Sequence, residues 1–391
     1  MEHLTGLEGY SIKKDGKAMR LGYTTGSCAA AASKAAAFML LSGDIKEEVC
    51  LMTPKGIMLR LLIEDIKKGE GFVSCAVRKM AGDDPDITDG ALIYSCVSLT
   101  DDENIKIDGG KGIGKVTRPG LDRKPGESAI NTVPRNMIEK ELLSVKEDFG
   151  YKGGFKAVIS VPDGERLAEK TFNPRLGIEG GISILGTSGI VIPMSDEAVI
   201  ESIRAEMNML KQMGASYIAL TPGNYGESFS KRELSLNSAY TMQCSNFIGD
   251  VLEIADEIGF KGILFVGHIG KFIKLSGGIM NTHSHNADCR CELMAAQALR
   301  AGADAACAKK VLGTLTSEEA LDILNKEGLL EKTMQAAMER IQFYLKAQRK
   351  TDLETGAVVY SNVYGLLSRS DNADALIEKI NSQSGPEGGS F

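Results

Sequence analysis

Apolar and polar positions alternate in short bursts along the first half of the chain. Residues 49–52, 57–63, 72–77, 91–99 and 104–107 read as strands. Turn formers such as Pro54-Lys55-Gly56 and Asp83-Asp84-Pro85-Asp86 separate them, and connections this short favour hairpins over crossovers. An alanine-rich run over 27–41 predicts a helix, capped by Thr25 or Ser27 and stopped by Gly43. Its small side chains suit close packing against a sheet. A helix over about 127–148 and a strand at 157–161 complete this part.

From Gly177 the period changes. A short apolar strand at 182–185 ends in Gly186-Thr187-Ser188-Gly189. Ser195 then caps a helix with Asp196 and Glu197 in its first turn, an apolar stripe of Val199, Ile203, Met207 and Leu210, and a stop at Gly214. A strand at 217–220 ends in Thr221-Pro222-Gly223-Asn224-Tyr225-Gly226. The next helix carries Ile248, Val251, Ile254 and Ile258 and stops at Gly259, and a strand at 263–266 ends in Gly267-His268-Ile269-Gly270. Strand–helix repetition of this kind requires parallel strands joined by crossovers. Helices over 288–300, 317–326 and 330–349 and a strand at 357–360 follow. The expected fold class is α/β in two domains: an α+β domain over 1–175, a parallel-sheet α/β domain over 176–381, and a flexible tail over 382–391. A length of 391 residues agrees, being more than one core usually spans.

Composition narrows the function. The net charge of −7 disfavours nucleic acid as the main partner, because phosphate binding wants a basic footprint. Locally the balance reverses. Lys106, Lys111, Lys115, Arg118, Arg123, Lys124 and Arg135 face only Asp108, Asp122 and Glu127 over 105–135. That run reads either as a solvated face or as a landing patch for an anionic small molecule. Met1-Glu2-His3 has no signal-peptide character, and the apolar stretch 28–41 is too short for a membrane span. The eight cysteines lack zinc-ribbon or thioredoxin spacing, which fits free thiols in a reducing cytoplasm.

The 44 glycines supply candidate chemistry. Three expected parallel strands each end in a glycine-containing loop, and open α/β sheets bind ligands outside the carboxyl ends of their strands. Glycine admits close backbone approach, so the 186–189 loop reads either as a nucleotide-like cradle or as a tight turn. Gly110-Lys111-Gly112-Ile113-Gly114 leads into no helix and reads as a turn. The segment Asn281-Thr282-His283-Ser284-His285 with Asp288, Cys289, Arg290 and Cys291 reads as a substrate-contacting loop or a helix-capping turn. A zinc site of His283, His285, Cys289 and Cys291 lacks standard spacing, and no metal is expected. No Gly-x-Ser-x-Gly elbow supports a serine triad.

Five segments together resemble one family. They are Leu21-Gly22-Tyr23-Thr24-Thr25-Gly26-Ser27-Cys28-Ala29-Ala30-Ala31-Ala32; Asp83-Asp84-Pro85-Asp86 with Thr88-Asp89-Gly90; Gly186-Thr187-Ser188-Gly189-Ile190-Val191 with Pro193-Met194-Ser195; Pro222-Gly223-Asn224; and Gly267-His268-Ile269-Gly270-Lys271 through Gly277-Gly278-Ile279-Met280-Asn281-Thr282-His283-Ser284. In this order, from about residue 20 to residue 370, the chain is similar to the CbiD family of anaerobic cobalamin biosynthesis. The family pattern matches Asp288 and Arg290 but does not call for Cys289 or Cys291.

The resemblance implies a cytoplasmic methyltransferase that moves a methyl group from S-adenosylmethionine to C1 of cobalt-precorrin-5B, giving cobalt-precorrin-6A. Cobalt would enter only within the substrate. It implies an N-terminal domain like the second domain of ribosomal protein S5 and a C-terminal Rossmann-like domain. The cofactor is then expected at Gly186, Thr187, Ser188, Gly189, Pro222, Gly223 and Asn224. The corrinoid is expected against Thr24, Thr25, Ser27, Lys271, Asn281, Thr282 and Ser284, in a cleft toward the N-terminal domain. His268 and His283 are candidates for a proton-moving group. A small-molecule corrinoid is the expected partner, without nucleic acid or membrane, and a homo-oligomer is compatible with this. A nicotinamide-dependent oxidoreductase and a non-catalytic corrinoid carrier stand as alternatives.

Overall fold

A computed structural model describes residues 3–14 and 16–383. The chain divides into two units, Met1–Asp196 and Glu197–Phe391. The expected flexible tail lies, from residue 384 on, outside the described residues.

The first unit is built on helix α1 (Thr25–Ser42). Thr24 caps it, accepting the Ser27 N–H, in place of the expected Thr25 or Ser27, and Gly43 closes it in the left-handed conformation. Alanines at 29–32 and 35–37 are wholly buried, so the helix is apolar nearly all round, as a core helix must be. It lies against a five-stranded sheet made of β1 (Glu64–Gly69), β2 (Phe72–Arg78), β3 (Leu92–Thr100), β4 (Ile105–Gly109) and β5 (Gly154–Ser160), in the order β1-β2-β3-β5-β4. β5 pairs antiparallel with β3 and parallel with β4. Ile93, Ser95 and Val97 of β3 alternate inward, and Ser95 meets Ser33 of α1 at 2.8 Å between hydroxyls.

Helix α2 (Thr132–Asp148) packs on α1, where Glu141 pairs with Lys34 at 2.6 Å. It starts five residues later than expected. Ser128 and Ile130 are instead held in bridges to Lys115 and Ile184, and Pro134 is tolerated only in the first turn.

The second unit opens with α3 (Asp196–Gln212) and holds strands β6 (Tyr217–Thr221), β7 (Thr241–Gln243), β8 (Gly262–His268), β9 (Glu354–Ser361) and β10 (Gly365–Arg369). The sheet order is β7-β6-β8-β9-β10, with the first four strands parallel and β10 antiparallel at the edge. β8 is buried from Gly262 to Gly267, the unbroken apolar run of a central parallel strand. The helices are α4 (Asn224–Glu233), α5 (Ile248–Ile258), α6 (Arg290–Arg300), α7 (Ala305–Leu312), α8 (Ser317–Lys326), α9 (Leu330–Gln348) and α10 (Ala373–Asn381).

One expected element changes place. Residues 182–185 are no strand of this sheet. Ile182 and Ile184 bridge to Ile113 and Ile130 and bury in the core of the first unit. Four apolar residues fit either partner equally well, and local pattern does not choose between them.

Candidate active site

β6 and β8 are neighbours, and the sheet order reverses between them, because β7 lies outside β6 while β9 lies outside β8. This is the topological switch point, where open parallel sheets leave a crevice at the carboxyl ends of their strands. A cavity of about 540 Å³ lies there, lined by Pro222, Gly223, Tyr225, Gly226, Asn246, His268, Gly270, Lys271, Lys274, Thr282, His283, Ser284, Arg290 and Tyr360. Its size is that of a small-ligand site.

The chain builds this wall tightly. Gly226 lets the start of α4 approach β8, since a Cβ there would stand 2.9 Å from the Thr221 Cβ and 3.1 Å from the Val266 carbonyl oxygen. At Gly267 a Cβ would stand 2.2 Å from the Phe272 ring, so only glycine lets residues 269–277 fold back as a short helical segment.

His268 ends β8 and caps that segment. Its Nδ1 accepts the Gly270 N–H at 3.1 Å, which places the ring proton on Nε2. Nε2 then donates to Glu318 Oε1 of α8 at 3.1 Å. Ser361 donates to the same carboxylate at 2.7 Å. The ring stands edge-on to Tyr360, centroids 5.6 Å apart, and Tyr360 stacks on Phe229. Both ring nitrogens of His268, one of the two candidates for a proton-moving group, are thus engaged within the protein.

The 277–284 segment is held to the start of α5. Asn281 bridges to Phe247, and Thr282 donates its N–H to the Asn246 carbonyl and its hydroxyl to the Asn246 side chain. His283 is exposed, and its Nδ1 accepts the His285 N–H. Asn224 and Asn281 brace the wall without lining it, Asn224 accepting from Gln243 and Asn281 from the His283 N–H.

The electrostatics are one-sided. Among the described residues no Asp or Glu lines the cavity. Arg290 is committed to Asp288 at 2.7 Å. Burial pushes the ammonium groups of Lys271 and Lys274 below the ordinary lysine range. Cys244 beneath β6 is buried, its thiol pushed up to about 12.

Of the sequence-expected residues, Pro222, Gly223, His268, Lys271, Thr282, His283 and Ser284 line this cavity. The sequence pattern does not single out Lys274, Asn246 or Tyr360 as part of its wall. The available sign is Lys274 itself, a lysine inside the apolar run Phe272-Ile273-Lys274-Leu275.

Gly186, Thr187, Ser188, Gly189, Thr24, Thr25 and Ser27 come together in the first unit. The 186–189 loop is no strand-end cradle of the parallel sheet. Gly22 and Tyr23 pair with Val191 and Ile190, Thr25 exchanges hydrogen bonds with Leu185, and Ser27 donates to the Gly189 carbonyl. Thr24, Thr25 and Ser27 are buried. The Ser27 hydroxyl thus holds the loop, the Thr25 hydroxyl holds Leu185 just before it, and the Thr24 hydroxyl caps α1.

The Asp83–Asp89 motif is likewise structural. Asp86 pairs with the buried Lys79 at 2.5 Å, and Asp89 accepts the Ala81 N–H. In the basic run over 105–135, Lys106 pairs with Asp102, Arg123 pairs with Glu127 at 2.8 Å, and Arg135 donates to the carbonyls of Ile107 and Ile130. Among the described residues no three His, Cys, Asp or Glu side chains converge as metal ligands, and no helix is long and apolar enough to cross a membrane.

The second unit is thus an α/β unit with an acid-free, lysine-bearing cavity at the switch point of its parallel sheet. The family follows from comparison. The CbiD family model matches residues 12–193, and that of the CbiD C-terminal domain matches residues 281–371. A cobalt-precorrin-5B C(1)-methyltransferase of Ruminiclostridium cellulolyticum is 48% identical, covering 90% of this chain and 91% of its own. Those of Thermoanaerobacter sp. and Alkaliphilus metalliredigens are 51% and 44% identical, covering 83% and 96% of this chain and 87% and 99% of theirs. The crystal structure of a cobalamin biosynthesis protein (cbiD) from Archaeoglobus fulgidus is 28% identical, covering 71% of this chain and 87% of that one at a TM-score of 0.38. The chain belongs to the CbiD family.

Proposed function

We propose that this chain methylates C1 of cobalt-precorrin-5B with S-adenosylmethionine, giving cobalt-precorrin-6A, in the cytoplasm, where its eight free thiols stay reduced. Relatives named for that activity align with most of the chain. The structural observation that supports it is the acid-free, lysine-bearing cavity at the β6/β8 switch point. The order and direction of these strands also support reading the second unit as Rossmann-like. The first unit's mixed sheet under α1 and α2 fits a ribosomal-protein-S5-domain-2-like fold.

The residues present fit the donor. Gly223 offers backbone beside the cavity, Tyr225 and Tyr360 offer ring faces and edges, and the lysines offer a counter-charge to a carboxylate. When bound, S-adenosylmethionine supplies an electrophilic methyl group on a sulfonium. Pro222 and Gly223 would hold it, while Thr282 and Ser284 would face the corrinoid. Asn224 and Asn281 would act by bracing.

Methyl transfer needs an in-line approach and little acid–base help, so orientation and water exclusion dominate. A histidine locked in one tautomer suits such chemistry, because it fixes the turn that carries Lys271. The test mixes the enzyme with cobalt-precorrin-5B and S-adenosylmethionine labelled in its methyl group. Label in the corrinoid is expected. Unlabelled corrinoid from folded protein overturns the reading.

A further inference from the structure

Lys274 is 2% exposed, and its Nζ donates to the Thr282 carbonyl at 2.9 Å. An ammonium has three N–H donors, and this carbonyl takes one. Among the described residues no carboxylate lies within ion-pair distance of Lys274. Asp288, the acid that most influences it, is held by two nitrogens of the Arg290 guanidinium at 2.7 and 3.2 Å. Lys271 stands three residues earlier on the same folded-back segment, half-buried, and its ammonium has no hydrogen bond or ion pair to any described residue. Proteins rarely keep lysine out of water without a partner, because the desolvated charge has nothing to offset it. Here a buried lysine with one carbonyl partner and a half-buried lysine with no side-chain partner among the described residues line one cavity whose described wall has no acid.

We propose that Lys271 and Lys274 jointly bind a carboxylate group of the ligand seated in this cavity, one ammonium to each oxygen. The inference rests on the proposed methyltransferase reading, which brings carboxylates from two sources: the amino-acid end of the methyl donor, and the acetate and propionate arms of the tetrapyrrole. In either case the pair acts in positioning. It anchors the ligand by a charged end, and the anchor sets where the reacting carbon or the methyl group stands.

The experiment compares the wild type with Lys271→Met, Lys274→Met and Lys271→Arg. Uroporphyrin III, an acetate- and propionate-bearing tetrapyrrole, is titrated by its own fluorescence, and S-adenosylhomocysteine by calorimetry. Each methionine variant is expected to weaken one of the two ligands about 10- to 100-fold, the loss of a charge-assisted hydrogen bond. Lys271→Arg is expected to recover most of the affinity. Weakening of uroporphyrin alone assigns the pair to the substrate arms, and weakening of S-adenosylhomocysteine alone assigns it to the donor; both support the proposal. It is overturned if both ligands bind within twofold of wild type in both methionine variants, with melting curves showing folded protein, or if the wild type binds neither. Wild-type turnover of cobalt-precorrin-5B is measured alongside. Turnover with unchanged affinities removes only the carboxylate pair, whereas absent turnover removes the methyltransferase reading itself.

Discussion

The Ser27 hydroxyl donates a 2.7 Å hydrogen bond to the carbonyl of Gly189, 162 positions along the chain. It joins the most distinctive N-terminal motif to the glycine loop that resembles a cofactor cradle. At Gly186, with φ at +125°, a Cβ would stand 2.4 Å from the Thr24 side chain. The two motifs are therefore one packing unit, and their hydroxyls and glycines close the first core.

Stability is the expected readout there. Ser27→Ala should cost about 1 kcal/mol, because Gly189 keeps its second donor, the Thr24 N–H. That is a fall of about 2–4 °C in Tm for a unit of this size. Gly186→Ala adds a clash to a left-handed strain and should cost about 3 kcal/mol. Gly180→Ala, at φ +79° in open space, is the control for strain alone. Calorimetric melts check the order. S-adenosylhomocysteine affinity should stay unchanged in Ser27→Ala, and a tenfold loss with normal Tm would make the hydroxyl a ligand contact.

His268 separates positioning from proton transfer. An asparagine can accept the Gly270 N–H as an N-cap, but it cannot act as a base. His268→Asn should keep turnover within a few-fold, while His268→Ala frees the turn and loses more. Were the ring a general base, both variants would fall together by about 10²–10⁴. Single-turnover rates with labelled donor decide.

Asp86 fixes a pH dependence. Burial raises its pKa, but the Lys79 ammonium and the Thr88 N–H and hydroxyl outweigh burial and hold the carboxyl below its ordinary value. A depressed folded pKa means stability that is full above the unfolded value, near 3.9, and is lost as pH falls through the folded value. Asp86→Asn should therefore cost about 3 kcal/mol at pH 7, since Lys79 stays buried without its charge partner. The gap to wild type should close below about pH 4. Urea unfolding at pH 7 and pH 3 measures it.

What can be read from the sequence follows from how local each cause is. The alanine run fixes α1, and the unbroken Ile263-Leu264-Phe265-Val266 fixes β8, because burial on all sides leaves its mark in composition. Helix α4 escapes notice because NYGESFSKRE buries only Gly226, Phe229 and Ser230. β7 has only three residues. The 182–185 run is misplaced by local pattern because its partner, Ile113 or Ile130, lies far off in sequence. At the site, loops at strand ends are legible through glycine, whereas the Lys274–Thr282 contact arises only when the 269–277 segment folds back over Gly267.

The same contact predicts a trade of stability for binding. Lys274→Met keeps length and apolar bulk while removing a buried ammonium that lacks a counter-charge. Against this, the Thr282 carbonyl loses its donor, a cost of about 1 kcal/mol. Replacing buried charge by a hydrophobe often gains about 1–4 kcal/mol, so the ligand-free variant should be more stable by about 1 kcal/mol at pH 7. The sign with pH is fixed. Burial lowers the folded pKa of Lys274, so the unfolded chain binds more protons, and wild-type stability rises as pH climbs from the folded value toward the ordinary lysine value near 10.4. The advantage of the variant should shrink over that interval. Denaturant midpoints at pH 7 and pH 10 check this, and a variant less stable than wild type at pH 7 would show that Lys274 is satisfied within the free protein.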